Sequence, residues 1–88
     1  MVTVADRFGA NLWRCRRRVR LSQEELAVAA DLHRTEIGKL EYGERVPRID
    51  TLVKLCGALE VEAADLLAGI VWEPVRDRGT GRYAVGHG

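Results

Sequence analysis

The chain has 88 residues, of which 47% are apolar and only 6% aromatic, so it has room for one small domain with a modest hydrophobic core. No stretch is long and apolar enough to span a bilayer, and the N-terminus lacks an apolar signal region, so we expect a cytoplasmic protein without a membrane partner. The two cysteines, Cys15 and Cys56, show no metal-ligand spacing with either histidine, so we expect free thiols, no metal and no cofactor.

The net charge of +1 hides an uneven distribution along the chain. Residues 1–48 hold ten Arg and Lys against seven Asp and Glu, whereas residues 49–88 hold four against six. A basic half joined to an acidic half is suited to a polyanion such as DNA on one face and to a different partner on the other.

The first predicted helix runs from about Ala5 to Val19. One apolar stripe supports it, at positions i, i+4, i+7 and i+11: Phe8, Leu12, Cys15 and Val19. Five arginines between Arg14 and Arg20 surround the end of this helix. They are equally consistent with a solvated helical face, since cations are favourable near a helix C-terminus, and with contacts to phosphate groups.

The next segment, Leu21 to Gly43, contains two short helices with a tight turn between them. Ser22 and Glu25 form a capping-box pattern at the start of the first of these helices. The second lies at about 33–42, and Gly43 is placed to end it. Its inward-facing residues are Ile37 and Leu40. Two short helices joined by such a turn make a helix-turn-helix, in which the second helix can lie in the major groove of DNA.

Two further helices are expected before the tail. The fourth, about Ile49 to Leu59, has an apolar stripe that we expect in the core: Ile49, Leu52, Val53, Cys56 and Leu59. The fifth is short, about Glu62 to Leu67. The tail from Ile70 to Gly88 has two β-prone runs across a glycine-rich turn, which predicts a hairpin. Because a lone hairpin is marginal in water, we expect it to pack on helix 5 or on a second subunit, and a loosely ordered tail is the alternative.

From about Leu12 to Leu67 the sequence resembles the XRE family, the helix-turn-helix domain of phage repressors and Cro. Leu-Ser-Gln-x-Glu-Leu-Ala opens the pattern, Ile-x-x-Leu-Glu-x-Gly closes the recognition helix, and Pro-x-x-x-Thr-Leu follows. The resemblance implies an all-α fold, a five-helix lambda-repressor-like helix-turn-helix domain over residues 1–69. Residues 70–88 lie outside the resemblance, and we expect them to be a C-terminal extension, a β-hairpin or strand that aids dimerisation.

The resemblance also implies roles for individual side chains. It implies a structural ion pair between Arg16 and Glu41 that orients the first and third helices. The base-reading positions of the recognition helix are Arg34, Thr35, Gly38 and Lys39. The phosphate-contacting positions are Gln23, His33, Tyr42, Arg45 and Arg48. The chain departs from the family at His33 and Arg48, which stand where Ser or Thr commonly caps a helix, and at Asp31, where Gly is common.

These features predict sequence-specific binding of double-stranded DNA by a small transcriptional regulator, a repressor acting as a homodimer on a palindromic operator. Contacts between subunits, or with a partner protein, are expected at Leu66, Ile70, Trp72, Tyr83 and Val85. An alternative is an antitoxin-type interaction module in which the tail covers a partner protein. An enzyme is rejected because the sequence has no nucleophile–base pairing, no metal spacing and no glycine-rich phosphate loop.

Overall fold

Five helices followed by a two-stranded antiparallel sheet make up the computed structural model, which describes residues 2–75 and 79–86. The helices are α1 (Val4–Arg18), α2 (Gln23–Ala30), α3 (Arg34–Glu41), α4 (Ile49–Leu59) and α5 (Ala63–Leu66), and the strands are β1 (Ile70–Val75) and β2 (Thr80–Val85). The predicted helix-turn-helix fold and the predicted hairpin are therefore confirmed. Residues 76–78 and 87–88 of the predicted tail lie outside the described residues. No helix within the described ranges is long and apolar enough to cross a bilayer.

Helices α1 and α2 each begin at a capping box. The Thr3 hydroxyl accepts from the Asp6 amide at 3.0 Å, and the Asp6 carboxylate accepts from the Thr3 amide at 3.0 Å. Ser22 and Glu25 repeat the arrangement at 3.0 and 2.8 Å. Because these bonds satisfy amides that the helix itself leaves free, they fix where each helix begins. The cap makes α1 begin at Val4, one residue earlier than predicted, and α1 also ends one residue earlier, at Arg18.

A single core cluster lies between the helices. Its fully enclosed side chains include Phe8, Leu12, Leu26, Ile37, Leu40, Leu55 and Leu66. The predicted stripe of α4 was wrong in two places, because Ile49 and Val53 are 76% and 64% exposed. Helix α4 instead buries Leu52, Leu55 and Leu59, which follow one another at i, i+3 and i+7. Val19 was also misplaced, since α1 ends at Arg18 and leaves it 44% exposed.

The segment that joins α5 to β1 is held by two polar side chains of α1. The Nδ2 of the fully buried Asn11 donates to the carbonyl oxygens of Leu66 and Ala68, each at 2.9 Å. The Nε of Arg7 donates to the Ala68 carbonyl at 3.2 Å. We call residues 66–69 the hairpin root, because these bonds fix to α1 the point from which the hairpin leaves the helices.

The hairpin pairs β1 with β2 in one register. Trp72 lies opposite Tyr83, with ring centroids 5.0 Å apart in an edge-to-face arrangement. On the other face of the sheet Glu73 and Arg82 form an ion pair at 3.1 Å. Gly81 is required at its position, because a Cβ there would collide with the Trp72 indole ring. These contacts fix the register of the hairpin and place its aromatic pair on one face of the sheet.

Candidate nucleic-acid interface

Helices α2 and α3 are joined by a tight turn and pack against each other through buried apolar side chains. Asp31 ends α2 with a left-handed backbone, φ 53°, which turns the chain sharply into α3. This conformation is uncommon for residues other than glycine, and Asp is among those that tolerate it best. Leu26 of α2 and the two inward residues of α3, Ile37 and Leu40, are fully buried. Packing on this side leaves the opposite side of α3 open.

The open side of α3 carries the four predicted base-reading positions. Arg34 and Thr35 are exposed, whereas Gly38 and Lys39 are half-buried. A Cβ added at Gly38 would meet nothing closer than the Gln23 Oε1, 3.9 Å away. Gln23 therefore lies beside the middle of α3, where the side chains of both helices can face one ligand.

Arg16, Gln23 and Glu41 form an enclosed polar cluster under α3. The Arg16 guanidinium donates to both carboxylate oxygens of Glu41, at 2.6 and 3.0 Å, and to the Leu21 carbonyl at 2.8 Å. The Gln23 Nε2 donates to the same carboxylate at 3.0 Å. The side chains of the ion pair are only 9% and 5% exposed. The hydrogen bonds with Glu41 raise the pKa of Arg16 above its usual value, so the guanidinium stays charged.

The cluster sets the orientation of the recognition helix. It joins the last turn of α1, the first turn of α2 and the last residue of α3 through a bidentate contact, whose fixed geometry defines direction as well as distance. Gly9 adds to this, since a Cβ there would lie 2.5 Å from the Leu40 carbonyl oxygen and 2.6 Å from that of Glu41. Helices α1 and α3 therefore touch backbone to backbone.

Three of the outward arginines near α3 each have a carboxylate partner. Arg34 donates to Glu24 in an exposed ion pair. Arg45 lies 3.0 Å from Glu36, and Arg48 lies 3.3 Å from Asp50. Exposed pairs of this kind contribute about 0–1 kcal/mol, so a phosphate or a base edge can replace the carboxylate. The three arginines are thus held beside α3 in the free protein, and each can exchange its carboxylate partner for DNA.

His33 and Tyr42 mark the two ends of α3. His33 occupies the N-cap position, but its side chain makes no capping hydrogen bond. Tyr42 is the C-cap residue and is exposed, and Gly43 follows with φ 74°. The loop that contains Arg45 then leads to Arg48 at the N-cap position of α4, again without a side-chain cap. The predicted phosphate-contacting residues therefore lie at both ends of the exposed side of α3.

Two arginines absent from the predicted contact set also face this surface. Arg17 and Arg20 line a groove, together with Ser22 and Arg34, where the end of α1 meets the start of α2. The Arg17 guanidinium stacks over the Trp13 ring at 5.3 Å, and Arg20 has a left-handed backbone, φ 61°. The signal was present in the arginine run of α1, but sequence alone does not tell which of five arginines face the groove.

The predicted contact residues of the tail divide into two groups. Trp72 and Tyr83 are 52% and 61% exposed, while Ile70 and Val85 are half-buried at the base of the hairpin. Leu66 is fully buried in the core of its own chain. The prediction that its side chain contacts a partner was therefore wrong, because α5 uses it to pack against α1 and α4.

A family model described as a helix-turn-helix, HTH_3, matches residues 14–66. This match covers more than half of the chain, so the protein belongs to the HTH_3 helix-turn-helix family, and its resemblance to the XRE family is confirmed.

Two control proteins are similar in sequence. The control protein C.BamHI from Bacillus amyloliquefaciens is 47% identical over 47 residues, which are 53% of this chain and 58% of that protein. The control protein C.SmaI from Serratia marcescens is 47% identical over 47 residues, which are 53% of this chain and 56% of that protein. The match thus spans less than two thirds of each relative.

Solved structures show the same helical arrangement. The restriction-modification controller protein C.AhdI from Aeromonas hydrophila superposes with a TM-score of 0.68 at 35% identity, covering 70% of this chain and 94% of its own. The clp gene regulator ClgR from C. glutamicum gives a TM-score of 0.70 at 28% identity, covering 74% and 84% of the two chains.

Proposed function

We propose that this protein is a transcriptional regulator that binds double-stranded DNA sequence-specifically, with α3 in the major groove. The observation that carries the proposal is the buried cluster of Arg16, Gln23 and Glu41. It holds α3 rigidly from behind while Arg34 and Thr35 stay exposed in front. A helix fixed in this way can present the same side chains to every DNA site, which discrimination between sequences requires.

Base reading is assigned to the exposed side of α3. The Arg34 guanidinium can form two hydrogen bonds with a guanine edge, and Lys39 can donate to the same kind of edge. Thr35 suits the methyl group of thymine or a phosphate. Gly38 allows the DNA to approach the helix closely. Glu24 holds Arg34 in the free protein and is exchanged for the base on binding.

Phosphate contacts are assigned to both ends of α3. His33 and Gln23 lie towards its start, and Tyr42, Arg45 and Arg48 lie after its end. Such contacts give affinity and register but carry no sequence information. Arg17 and Arg20 extend the same cationic surface along the groove at the start of α2.

The relatives support regulation as the biological role. The similar proteins are called control proteins, a restriction-modification controller and a gene regulator, and none of these descriptions names an enzyme or an antitoxin. We propose a homodimer that represses transcription by occupying a palindromic operator and excluding other proteins from it. Finding restriction-modification genes beside the gene for this chain would support a controller role.

The test is selection of binding sites from a randomised double-stranded DNA pool. We expect wild type to enrich a two-fold symmetric site, and Arg34→Ala to relax the preference at one position in each half-site, by about 1–3 kcal/mol. Arg48→Ala also removes one arginine, but from a proposed phosphate contact, and serves as the matched control: it should weaken binding and leave the selected site equal to that of wild type. If wild type enriches no sequence, the proposed function is wrong.

A further inference from the structure

The two outer edges of the hairpin differ in what they offer a third strand. In an antiparallel pair, opposed residues alternate between pairs that exchange hydrogen bonds and pairs whose backbone groups point outward. The Gly86 amide donates to the Gly69 carbonyl at 2.8 Å, which makes 69 and 86 a bonded pair. Counting inward from there, the outward-pointing pairs are 70 with 85, 72 with 83, and 74 with 81.

The outer edge of β1 is poorly suited to another strand. The Ile70 amide is already bonded to the Leu67 carbonyl at 3.0 Å. Pro74 has no N–H to donate, as is usual for a proline on an exposed sheet edge. Of the three outward-pointing residues of β1, only Trp72 therefore has a backbone N–H that a third strand could use.

The outer edge of β2 offers a donor and an acceptor at every outward-pointing residue. Gly81, Tyr83 and Val85 each point an N–H and a C=O outward, and none of these positions is a proline. The described residues place no strand on this side, since the sheet has the order β1–β2 alone. An open edge of this kind is a template for pairing unless charge or a bulge blocks it, and these three side chains carry no charge.

We propose that a second copy of this chain pairs with the outer edge of β2, antiparallel, so that two hairpins form one four-stranded sheet. This identifies the contact surface of the homodimer in the proposed function and rests on it. A two-fold axis between Tyr83 and the partner's Tyr83 places Gly81 opposite the partner's Val85. Every outward N–H and C=O at positions 81, 83 and 85 then finds a partner.

The side chains favour a second copy as the occupant, because this pairing is self-complementary. Trp72 and Tyr83 already stack on one face of the hairpin, and the axis continues them into a row of four aromatic rings across the sheet. On the other face Arg82 lies opposite the partner's Ala84 and keeps its own Glu73, so no like charges face each other directly. The Tyr83 ring, 61% exposed in one chain, then packs beside the partner's Tyr83 ring.

Concentration-dependent amide hydrogen exchange tests the proposal on the full chain. Sedimentation equilibrium first locates the concentrations at which monomer and dimer dominate. We expect the amides of Gly81, Tyr83 and Val85 to exchange at least about tenfold more slowly in the dimer. The Trp72 amide points outward on the other strand, so it is the internal control and should not change.

A pair of variants at one position separates the hydrogen bonds from the ring. Tyr83→Pro and Tyr83→Thr both remove the ring, but only proline removes the outward N–H, and neither breaks a bond within the hairpin. We expect the proline variant to dissociate at about tenfold higher concentration than the threonine variant, because each dimer loses two hydrogen bonds.

Three results would overturn the proposal: a monomer at all concentrations, a dimer without protection at these amides, or equal dissociation of the two variants. None of them would by itself remove the DNA-binding function. That function is tested by site selection, where a monomer would enrich an asymmetric half-site.

Discussion

Arg16 and Glu41 form an ion pair whose two side chains are almost completely enclosed. Removing one partner leaves the other charge in the interior without compensation, at a cost of about 3–5 kcal/mol in the free energy of unfolding. We therefore expect Arg16→Ala to destabilise the domain by this amount in urea denaturation. Replacing both residues, with Arg16→Met and Glu41→Leu together, should cost less than either single change, because no charge is then buried.

The hairpin offers a matched control for this pair. Arg82 and Glu73 also contact each other, but both are exposed, and exposed pairs contribute about 0–1 kcal/mol. Arg82→Ala should therefore shift the urea midpoint only slightly. Equal shifts for Arg16→Ala and Arg82→Ala would show that enclosure does not strengthen the interhelical pair.

Gly38 and Gly57 allow helix stability to be separated from DNA binding. Both lie inside helices, and an added Cβ has room at each, with its nearest neighbour 3.9 Å away at Gly38 and none within 4 Å at Gly57. Alanine should therefore stabilise each helix by about 1 kcal/mol. Only Gly38→Ala should weaken DNA binding, measured by titration of a selected site, because only Gly38 lies on the proposed interface. Equal affinity of the two variants would show that DNA does not approach α3 at Gly38.

The order of residues in the chain identified some contacts but not others. The family resemblance predicts the pairing of Arg16 with Glu41. No pattern indicated Asn11, although it lies three residues from Phe8 and one before Leu12 on the buried side of α1. Its partners are backbone carbonyls 55 and 57 residues away, and such partners leave no trace in side-chain types.

The capping boxes make the starts of α1 and α2 sensitive to acid. Hydrogen bonds from the Thr3 backbone and side chain lower the pKa of Asp6, and those of Ser22 lower the pKa of Glu25. A carboxyl whose pKa is lower in the folded state stabilises the fold above its unfolded pKa, near 4. That contribution is lost as the pH falls through the lower, folded value.

Glu25→Gln tests this sensitivity, because glutamine can keep the capping hydrogen bond but does not titrate. We expect the difference in urea midpoint between neutral and acidic solution to be smaller in Glu25→Gln than in wild type. Glu44→Gln, at an exposed loop position outside any cap, is the control and should keep the wild-type difference. An unchanged difference in Glu25→Gln would mean that the cap does not titrate with folding.

The helices show which local patterns determine structure. Ser22 and Glu25 gave the start of α2 correctly, because a cap depends only on neighbours three residues apart. The stripe of α4 failed because Ile49 and Val53 are apolar but lie beside the contact face rather than on it. Leu55, omitted from that stripe, is fully buried. Periodicity predicts that a helix has an inner face, whereas the direction of that face depends on where the other helices lie.

The whole fold was more predictable than its connections. Helix order and the hairpin follow from patterns within short segments, and the family resemblance supplied the packing of the helix-turn-helix. The attachment of the hairpin could not be predicted in this way. It depends on Arg7 and Asn11 contacting the hairpin root, whose residues lie 55 to 61 positions away in the sequence, and on Gly69 turning there with φ 80°.

That attachment fixes the hairpin to α1, the helix that also holds α3. Helix α1 is bonded to α3 through the Arg16–Glu41 pair and, through Asn11, to the hairpin root that precedes β1. When two such chains join through their β2 strands, the separation and angle of their recognition helices are set before DNA is met. A spacer one base pair longer rotates one half-site by about 34–36° relative to the other. The dimer would then discriminate between operators by the spacing of their half-sites as well as by their sequence.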